Sequence, residues 1–281
     1  MKLVTCLHDG KERVGALTES GVVFLPYPDM NTLIETASPA QLRDAARGET
    51  VPLADVTLLA PIPRPRQDVI CLGMNYVAHA EESARYNNRA FSKEKPISVY
   101  FSKRVSEAAA PDTGIPSHQG LVERLDYEVE LAVILGKTAK NVKPEEAGDY
   151  IFGYTIVNDM SARDLQTGHM QWYFGKSLDG FTPMGPCILT ADETAFPPAL
   201  GIYSRINGEL RQNSSTSLLI HTIPAILAEL TQGMTLLPGT IIATGTPAGV
   251  GMGFEPPKFL KPGDVVECEI ENIGVLRNSI V

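Results

Sequence analysis

The chain has 281 residues, with Lys+Arg 24 against Asp+Glu 33 and a formal charge of −9 at pH 7. That balance disfavours nonspecific attraction to nucleic acid or an anionic membrane, so an anionic ligand needs a local cationic pocket. Hydrophobic residues at 43% with Gly 24 and Pro 21 predict a β-rich mixed α/β protein of short strands and tight turns.

Residues 2–25 read as a short β-meander, Leu3 to Leu7, Val14 to Leu17 and Val22 to Leu25, turning at Asp9-Gly10 and Ser20-Gly21. Leu33, Ile34, Ala37 and, past a break at Pro39, Leu42, Ala45 and Ala46 keep helical spacing, and Gly48 ends the run. In 61–67, Pro61, Pro63 and Pro65 deny the chain helix or central strand, so we place a linker there between a small N-terminal β-rich domain, 1–60, and a catalytic domain, 68–281. Asp68 to Gly73 reads as a buried strand entering a helix over Met74 to Glu82. On it His79 and Glu82 share one side, and the carboxylate orients the imidazole as in a general-base dyad, although a surface His beside a surface Glu is common. Ser83 to Lys93 is polar and weakly patterned, as a lid or an ordinary loop is.

A strand at Ile97 to Phe101 follows, and then Leu125 to Ile134, where Asp126, Glu128 and Glu130 alternate with Tyr127, Val129 and Leu131. At strand spacing the three carboxylates share one face. Like charges so placed need bulk water or a cation, and both a solvated edge and a cation-binding face fit the pattern. A short helical turn at Pro144 to Gly148 precedes a β-prone run, Tyr150 to Val157, which delivers Asp159 at its end, placed to join two glutamates of a neighbouring strand. Such a carboxylate set suits Mg²⁺ or Mn²⁺, and no histidine or cysteine spacing offers zinc a better site. Cys6, Cys71, Cys187 and Cys268 form no C-x-x-C and are expected as free thiols in a reducing cytosol. The uncharged stretch Leu230 to Phe254 is broken by glycines and prolines, and no leader pattern stands at the start, so a cytoplasmic location without membrane contact is expected.

Taken together, Gly73-x-Asn75-Tyr76-x-x-His79-x-x-Glu82, Asp126-Tyr127-Glu128-Val129-Glu130-Leu131, Asp159 to Gln166, Lys176-Ser177-Leu178-Asp179, Pro183-x-Gly185-Pro186, Asn207-Gly208-Glu209-x-Arg211-Gln212 and Thr244-Gly245-Thr246-Pro247-x-Gly249-Val250-Gly251 resemble the fumarylacetoacetate hydrolase family over roughly 68–281. The resemblance implies a β-sandwich or roll catalytic domain behind a variable N-terminal appendage, with a homodimer common. It implies Glu128, Glu130 and Asp159 as ligands of Mg²⁺ or Mn²⁺, His79 and Glu82 as the water-activating dyad, and Lys176 as the cation facing developing negative charge. Gln166 and Thr246 match substrate contacts, the latter for a carboxylate. Arg163 matches a further substrate slot, against which stands simple ion pairing with the adjacent Asp164. Asp126 matches no direct ligand.

The function this implies is divalent-metal-dependent hydrolysis of a C–C bond in a 2,4-dioxo acid of the acylpyruvate or fumarylpyruvate type, with the 2-oxo acid as small-molecule partner. Oxaloacetate decarboxylation and dienol dioate isomerisation use the same enolate and stand as alternatives. A metal-binding or ligand-binding protein without activity stands as a reading of another class. A nucleotide site resting on Gly245 to Gly251 lacks a strand, a G-x-G-x-x-G motif and an acidic residue in the required places. His221 reads as a packed residue at a helix start, Trp172 and Tyr173 as pocket or packing, and His118 and His169 complete no metal site. Specificity is expected in 83–95 and 168–174.

Overall fold

The computed structural model describes residues 1–88, 90–91 and 97–281. The N-terminal meander forms as β1 (Lys2–His8), β2 (Lys11–Thr18) and β3 (Gly21–Phe24). The helical stretch divides at Pro39 into α1 (Met30–Thr36) and α2 (Pro39–Ala45). Asp29 caps the first, and Ser38 with Gln41 forms a reciprocal capping box on the second, so the proline sits where its missing N–H costs nothing.

Two short strands, β4 (Thr50–Val51) and β5 (Thr57–Leu58), complete this region. Its strands do not form a separate sheet. β1 pairs antiparallel with β13 (Met184–Thr190), so the main sheet of 11 strands runs on from the C-terminal part of the chain into the first residues.

The centre of that sheet is β10 (Val129–Leu135), which lies between β11 (Ile151–Asn158) and β16 (Ile241–Ala243). β16 in turn pairs parallel with β6 (Val69–Gly73), and β6 antiparallel with β7 (Val99–Lys103). Leu131, Val133 and Leu135 of β10 enter one apolar cluster, while Ala132 and Ile134 enter the other, which also holds Leu33 and Ile34 of α1 and Leu42 of α2. A strand covered on both faces reads as a continuous apolar run, as Ala132 to Leu135 does.

The first cluster is closed by a second sheet of five strands. It runs from β15 (Glu209–Ser215) through β14 (Gly201–Ile206), β17 (Val265–Ile270) and β18 (Gly274–Ile280) to the short β8 (Gly114–Ile115). Ile202, Val266 and Leu276 from it share this cluster with Leu131 and Ile156, and α6 (Ile223–Gly233) adds Ile226, Leu227 and Leu230. The result is a sheet-rich mixed α/β fold, with α1 and α2 on the side of the second cluster and α6 on the side of the first, in agreement with the β-rich expectation.

The acidic stretch differs from its expected form. It is two strands, β9 (Leu125–Asp126) and β10, interrupted at Tyr127-Glu128, and β9 pairs with β12 (Ser161–Ala162) in a sheet of its own. The interruption is held locally, because Tyr127 N donates to Asp126 Oδ1 at 2.9 Å and Glu128 N donates to the Asn158 side chain at 3.0 Å. Nor is it a solvated edge, since Asp126, Glu128 and Glu130 are 0%, 5% and 1% exposed.

Three helices complete the surroundings of the site: α3 (Val77–Tyr86), α4 (Arg163–Gly168) and α5 (Tyr173–Lys176). The polar segment after Glu82, read as a lid or an ordinary loop, continues α3 as far as Tyr86; its residues 89, 92 and 93, and residues 94–96 beyond it, lie outside the described residues. No helix among the described residues is long and apolar enough to cross a membrane.

Candidate active site

Glu128, Glu130 and Asp159 each bring one carboxylate oxygen within 4.8 Å of the others. The register explains the meeting: Val129 pairs with Asn158 across β10 and β11, so the residues that flank this pair converge where the strands end. Asp159 N donates to Glu128 O at 2.8 Å and fixes the turn out of β11.

Three cations among the described residues face these acids. Lys176 Nζ donates to Glu128 Oε2 at 2.8 Å and to Asp159 Oδ2 at 2.6 Å. Lys103 Nζ, 0% exposed at the end of β7, lies 2.5 Å from Asp159 Oδ1 and also donates to Met160 O. Arg163 places Nη2 2.6 Å from Glu128 Oε1 and donates through Nε to Asp126 Oδ2 at 2.9 Å. Burial opposes the charge of Glu128, but the Lys176 ammonium and the Arg163 guanidinium outweigh it and hold the carboxyl far below its usual range. Burial likewise opposes the Lys176 charge, and Asp159 with Glu128 restores it to above the ordinary lysine value.

Glu130 has no such partner. Burial, with Asp159 and then Glu128 facing it, pushes its carboxyl well above the ordinary range, against one backbone donor, Gly245 N, at 2.8 Å from Oε2. Counting Asp126, four buried acids meet three buried cations among the described residues, and Glu130 is the acid left without an ion pair there. An all-oxygen set of three carboxylates, one of which, Glu130, has no cationic partner among the described residues, fits a hard divalent cation.

Asp126 stands apart from the three. Its carboxylate accepts from Gly251 N at 2.6 Å and Met252 N at 3.0 Å as well as from Arg163, so it ties the glycine-rich turn to α4 rather than facing the cleft. The expected alternative partner of Arg163 is also replaced. Asp164 accepts from the backbone N–H groups of Glu123 and Arg124, because it heads α4 pointing toward the chain before β9.

On α3, His79 Nδ1 and Glu82 Oε2 are 3.1 Å apart, both residues buried. Gly249 N approaches both Glu82 oxygens, at 3.1 and 3.4 Å, so the carboxylate is fixed as an acceptor. That assigns the proton to Nδ1 and leaves Nε2 of the imidazole as the basic atom. Gly253 packs against the same carboxylate: a Cβ there falls 1.7 Å from Glu82 Oε1.

A cleft of about 480 Å³ opens among these groups, lined by His79, Glu128, Glu130, Lys176, Trp172 and Thr246. Gln166 and Arg163 also line it, and their side chains are joined by a 2.9 Å bond from Arg163 Nη1 to Gln166 Oε1. The Thr246 hydroxyl donates to Val129 O at 2.9 Å and accepts from Gln212 Nε2 at 2.7 Å, so its proton is committed to the protein. Trp172 lies against Gly73, where a Cβ would fall 2.2 Å from the indole, and stacks edge-on to Phe101, over which Lys176 sits. Of the residues left unassigned, His221 precedes α6 with its backbone held by Asn75, and His118 and His169 each meet a backbone carbonyl. Lys103 was the residue sequence reasoning missed. Its signal was strand alternation, which puts it on the face of Phe101 once β7 is extended to Lys103.

The sequence profile of the fumarylacetoacetate (FAA) hydrolase C-terminal family matches residues 68–281. Oxaloacetate tautomerase YisK of Bacillus subtilis (strain 168) is 46% identical over 228 residues, covering 81% of this chain and 74% of that protein. The mitochondrial oxaloacetate tautomerase FAHD2A of Homo sapiens is 40% identical over 250 residues, 88% of this chain and 76% of that one. Among solved structures, a fumarylacetoacetate hydrolase (EaFAH) from psychrophilic Exiguobacterium antarcticum superposes with a TM-score of 0.86 at 39% identity, over 100% of this chain and 99% of that one. A 2-hydroxyhepta-2,4-diene-1,7-dioate isomerase from Mycobacterium marinum does so with a TM-score of 0.78 at 32% identity, over 100% and 98%. With that profile spanning the whole region that carries the carboxylates, the dyad and the lysine, the chain belongs to the fumarylacetoacetate hydrolase family of enzymes.

Proposed function

We propose that this protein enolises 2-oxo dicarboxylic acids, with the keto–enol tautomerisation of oxaloacetate as its reaction. The observation that carries the reading is that one cleft holds both a basic imidazole nitrogen, on His79, and the carboxylates of a cation site, Glu128 and Glu130. The names of two similar proteins, both oxaloacetate tautomerases, support the choice of substrate. Glu128, Glu130 and Asp159 would hold Mg²⁺ or Mn²⁺, which would supply positive charge that favours loss of a proton from C3 of a 2-oxo acid.

The protein's own groups then divide the work. His79 Nε2 takes the C3 proton, the electron pair moves onto the C2 oxygen, and a proton is returned there, so no water is consumed. Glu82 holds the imidazole in the required tautomer and stabilises its charged form. Lys176, kept cationic by Glu128 and Asp159, adds charge on the same side. Trp172 and Phe101 wall the cleft and exclude water. A homodimer belongs to the same proposal and is checked by sedimentation.

A second reading, hydrolysis of a C–C bond in a 2,4-dioxo acid, is favoured by one feature: the fixed Glu82–His79 pair is also the arrangement that activates water. One experiment separates the two. Freshly dissolved enolic oxaloacetate is followed in the ultraviolet with Mg²⁺ and with chelator, and pyruvate release is measured in parallel from oxaloacetate and from acylpyruvates. Accelerated enol decay without pyruvate supports tautomerisation, pyruvate from acylpyruvates supports hydrolysis, and pyruvate from oxaloacetate indicates decarboxylation. No acceleration of enol decay at saturating Mg²⁺ would refute the first reading.

A further inference from the structure

Among the described residues the inner cations of the site are committed: Lys103 to Asp159, Lys176 to Glu128 and Asp159, and Arg163 to Asp126 and Glu128. A dicarboxylic substrate whose 2-oxo end is held there brings a second carboxylate, and this needs a cation further out. Arg124 is placed to supply one. Its guanidinium bridges the two helices on either side of the cleft mouth, donating from Nη1 to the Tyr86 hydroxyl of α3 at 2.9 Å and from Nη2 to Thr167 Oγ1 of α4 at 3.4 Å.

Both partners are neutral hydroxyls, and among the described residues no carboxylate lies within ion-pair distance of this guanidinium. Asp164, the acid beside it in the fold, is turned to the backbone N–H groups of Glu123 and Arg124. Arg124 is therefore a half-buried cation with no neutralising carboxylate among the described residues, one side chain behind the cleft wall, since Thr167 lines the cleft together with Ser83 of α3 and Asn87 just after it, which lie on either side of Tyr86 in the chain. Half-burial weakens the solvent screening that makes a fully exposed arginine unselective, and the planar fork suits a carboxylate.

Building on the 2-oxo dicarboxylate reading, we propose that Arg124 is the specificity determinant for the distal carboxylate. It would set the preference for acids with an anionic tail over those with a neutral one, while leaving the chemistry at the 2-oxo end to His79 and Lys176. A purely structural strut between α3 and α4 would affect both kinds of acid alike.

The test is equilibrium binding by calorimetry, at saturating Mg²⁺, of 2-oxoglutarate and of its 5-methyl ester to the wild-type protein, Arg124→Gln and Arg124→Lys. The expected result is that wild type prefers the diacid, that Arg124→Gln weakens the diacid about tenfold with little change for the ester, and that Arg124→Lys keeps much of the preference. Equal weakening of both ligands, no change in either, or a wild type that does not discriminate would each overturn the assignment. Failure of the wild type to bind either acid would instead overturn the 2-oxo acid reading on which it rests.

Discussion

Replacing Lys103 by Met removes a buried ammonium 2.5 Å from Asp159 Oδ1 and leaves the volume nearly unchanged. At an effective dielectric of ~20 the lost attraction is about 7 kcal/mol, and desolvation of the lysine offsets part of it. Removing one member of a buried pair therefore costs about 3–5 kcal/mol, because the partner charge stays behind without compensation. In the variant Asp126, Glu128 and Asp159 would face two cations, Lys176 and Arg163. A divalent cation replaces the missing charge, so Mg²⁺ should stabilise the variant more than it stabilises wild type. Urea unfolding in chelator and in Mg²⁺ measures both effects. A loss below about 1 kcal/mol in chelator, or the same stabilisation by Mg²⁺ in both proteins, would refute the charge balance drawn for this site.

Gly253→Ala drives a methyl into Glu82 Oε1, so turnover should fall by about tenfold or more as the imidazole loses its orientation, with urea stability within about 2 kcal/mol of wild type. Unchanged turnover would show that Glu82 does not orient His79. Stability against pH in chelator follows from the two glutamates. Glu130, raised in the folded state, takes up a proton on folding, so stability declines as pH rises from the ordinary carboxylate range toward its elevated value. Glu128, depressed, contributes stability that is lost as pH falls below that range. Glu130→Gln should remove the decline on the alkaline side, which denaturant titration across pH reads directly. The four cysteines are buried and free, and burial pushes the thiols of Cys6 and Cys187 up to about 11, so iodoacetamide at neutral pH should leave the folded protein unlabelled. Rapid labelling without denaturant would contradict the packing.

What could be read in advance depended on how locally each contact is written. His79 and Glu82 are one helical turn apart, and helix geometry alone brings them together. Glu128 and Glu130 are fixed by strand alternation, and Asp159 by the end of a β-prone run, so one pairing of neighbouring strands completes the group. The same alternation misled at Asp126. It continues unbroken through Tyr127-Glu128, yet the backbone leaves the sheet there, because Asp126 is taken by the N–H groups of Gly251 and Met252, far along the chain. Arg163 shows the same limit, since its adjacent acid was visible while its actual partners arrive from β9 and the turn before β10. Lys103 and the approach of Gly249 to Glu82 likewise exist only once distant segments are packed. The proline-rich stretch 61–67 reads as a break in secondary structure, but β1 rejoins the main sheet at β13, a pairing between opposite ends of the chain that no local pattern announces.

The central claim is that Glu128, Glu130 and Asp159 form one divalent-cation site, and Mn²⁺ titration followed by electron paramagnetic resonance tests it most directly. One bound Mn²⁺ per chain is expected in wild type, displaced by Mg²⁺, with loss of that site in Glu130→Gln while the variant remains folded. Unaltered Mn²⁺ binding in folded Glu130→Gln, or no bound Mn²⁺ in wild type, would contradict it.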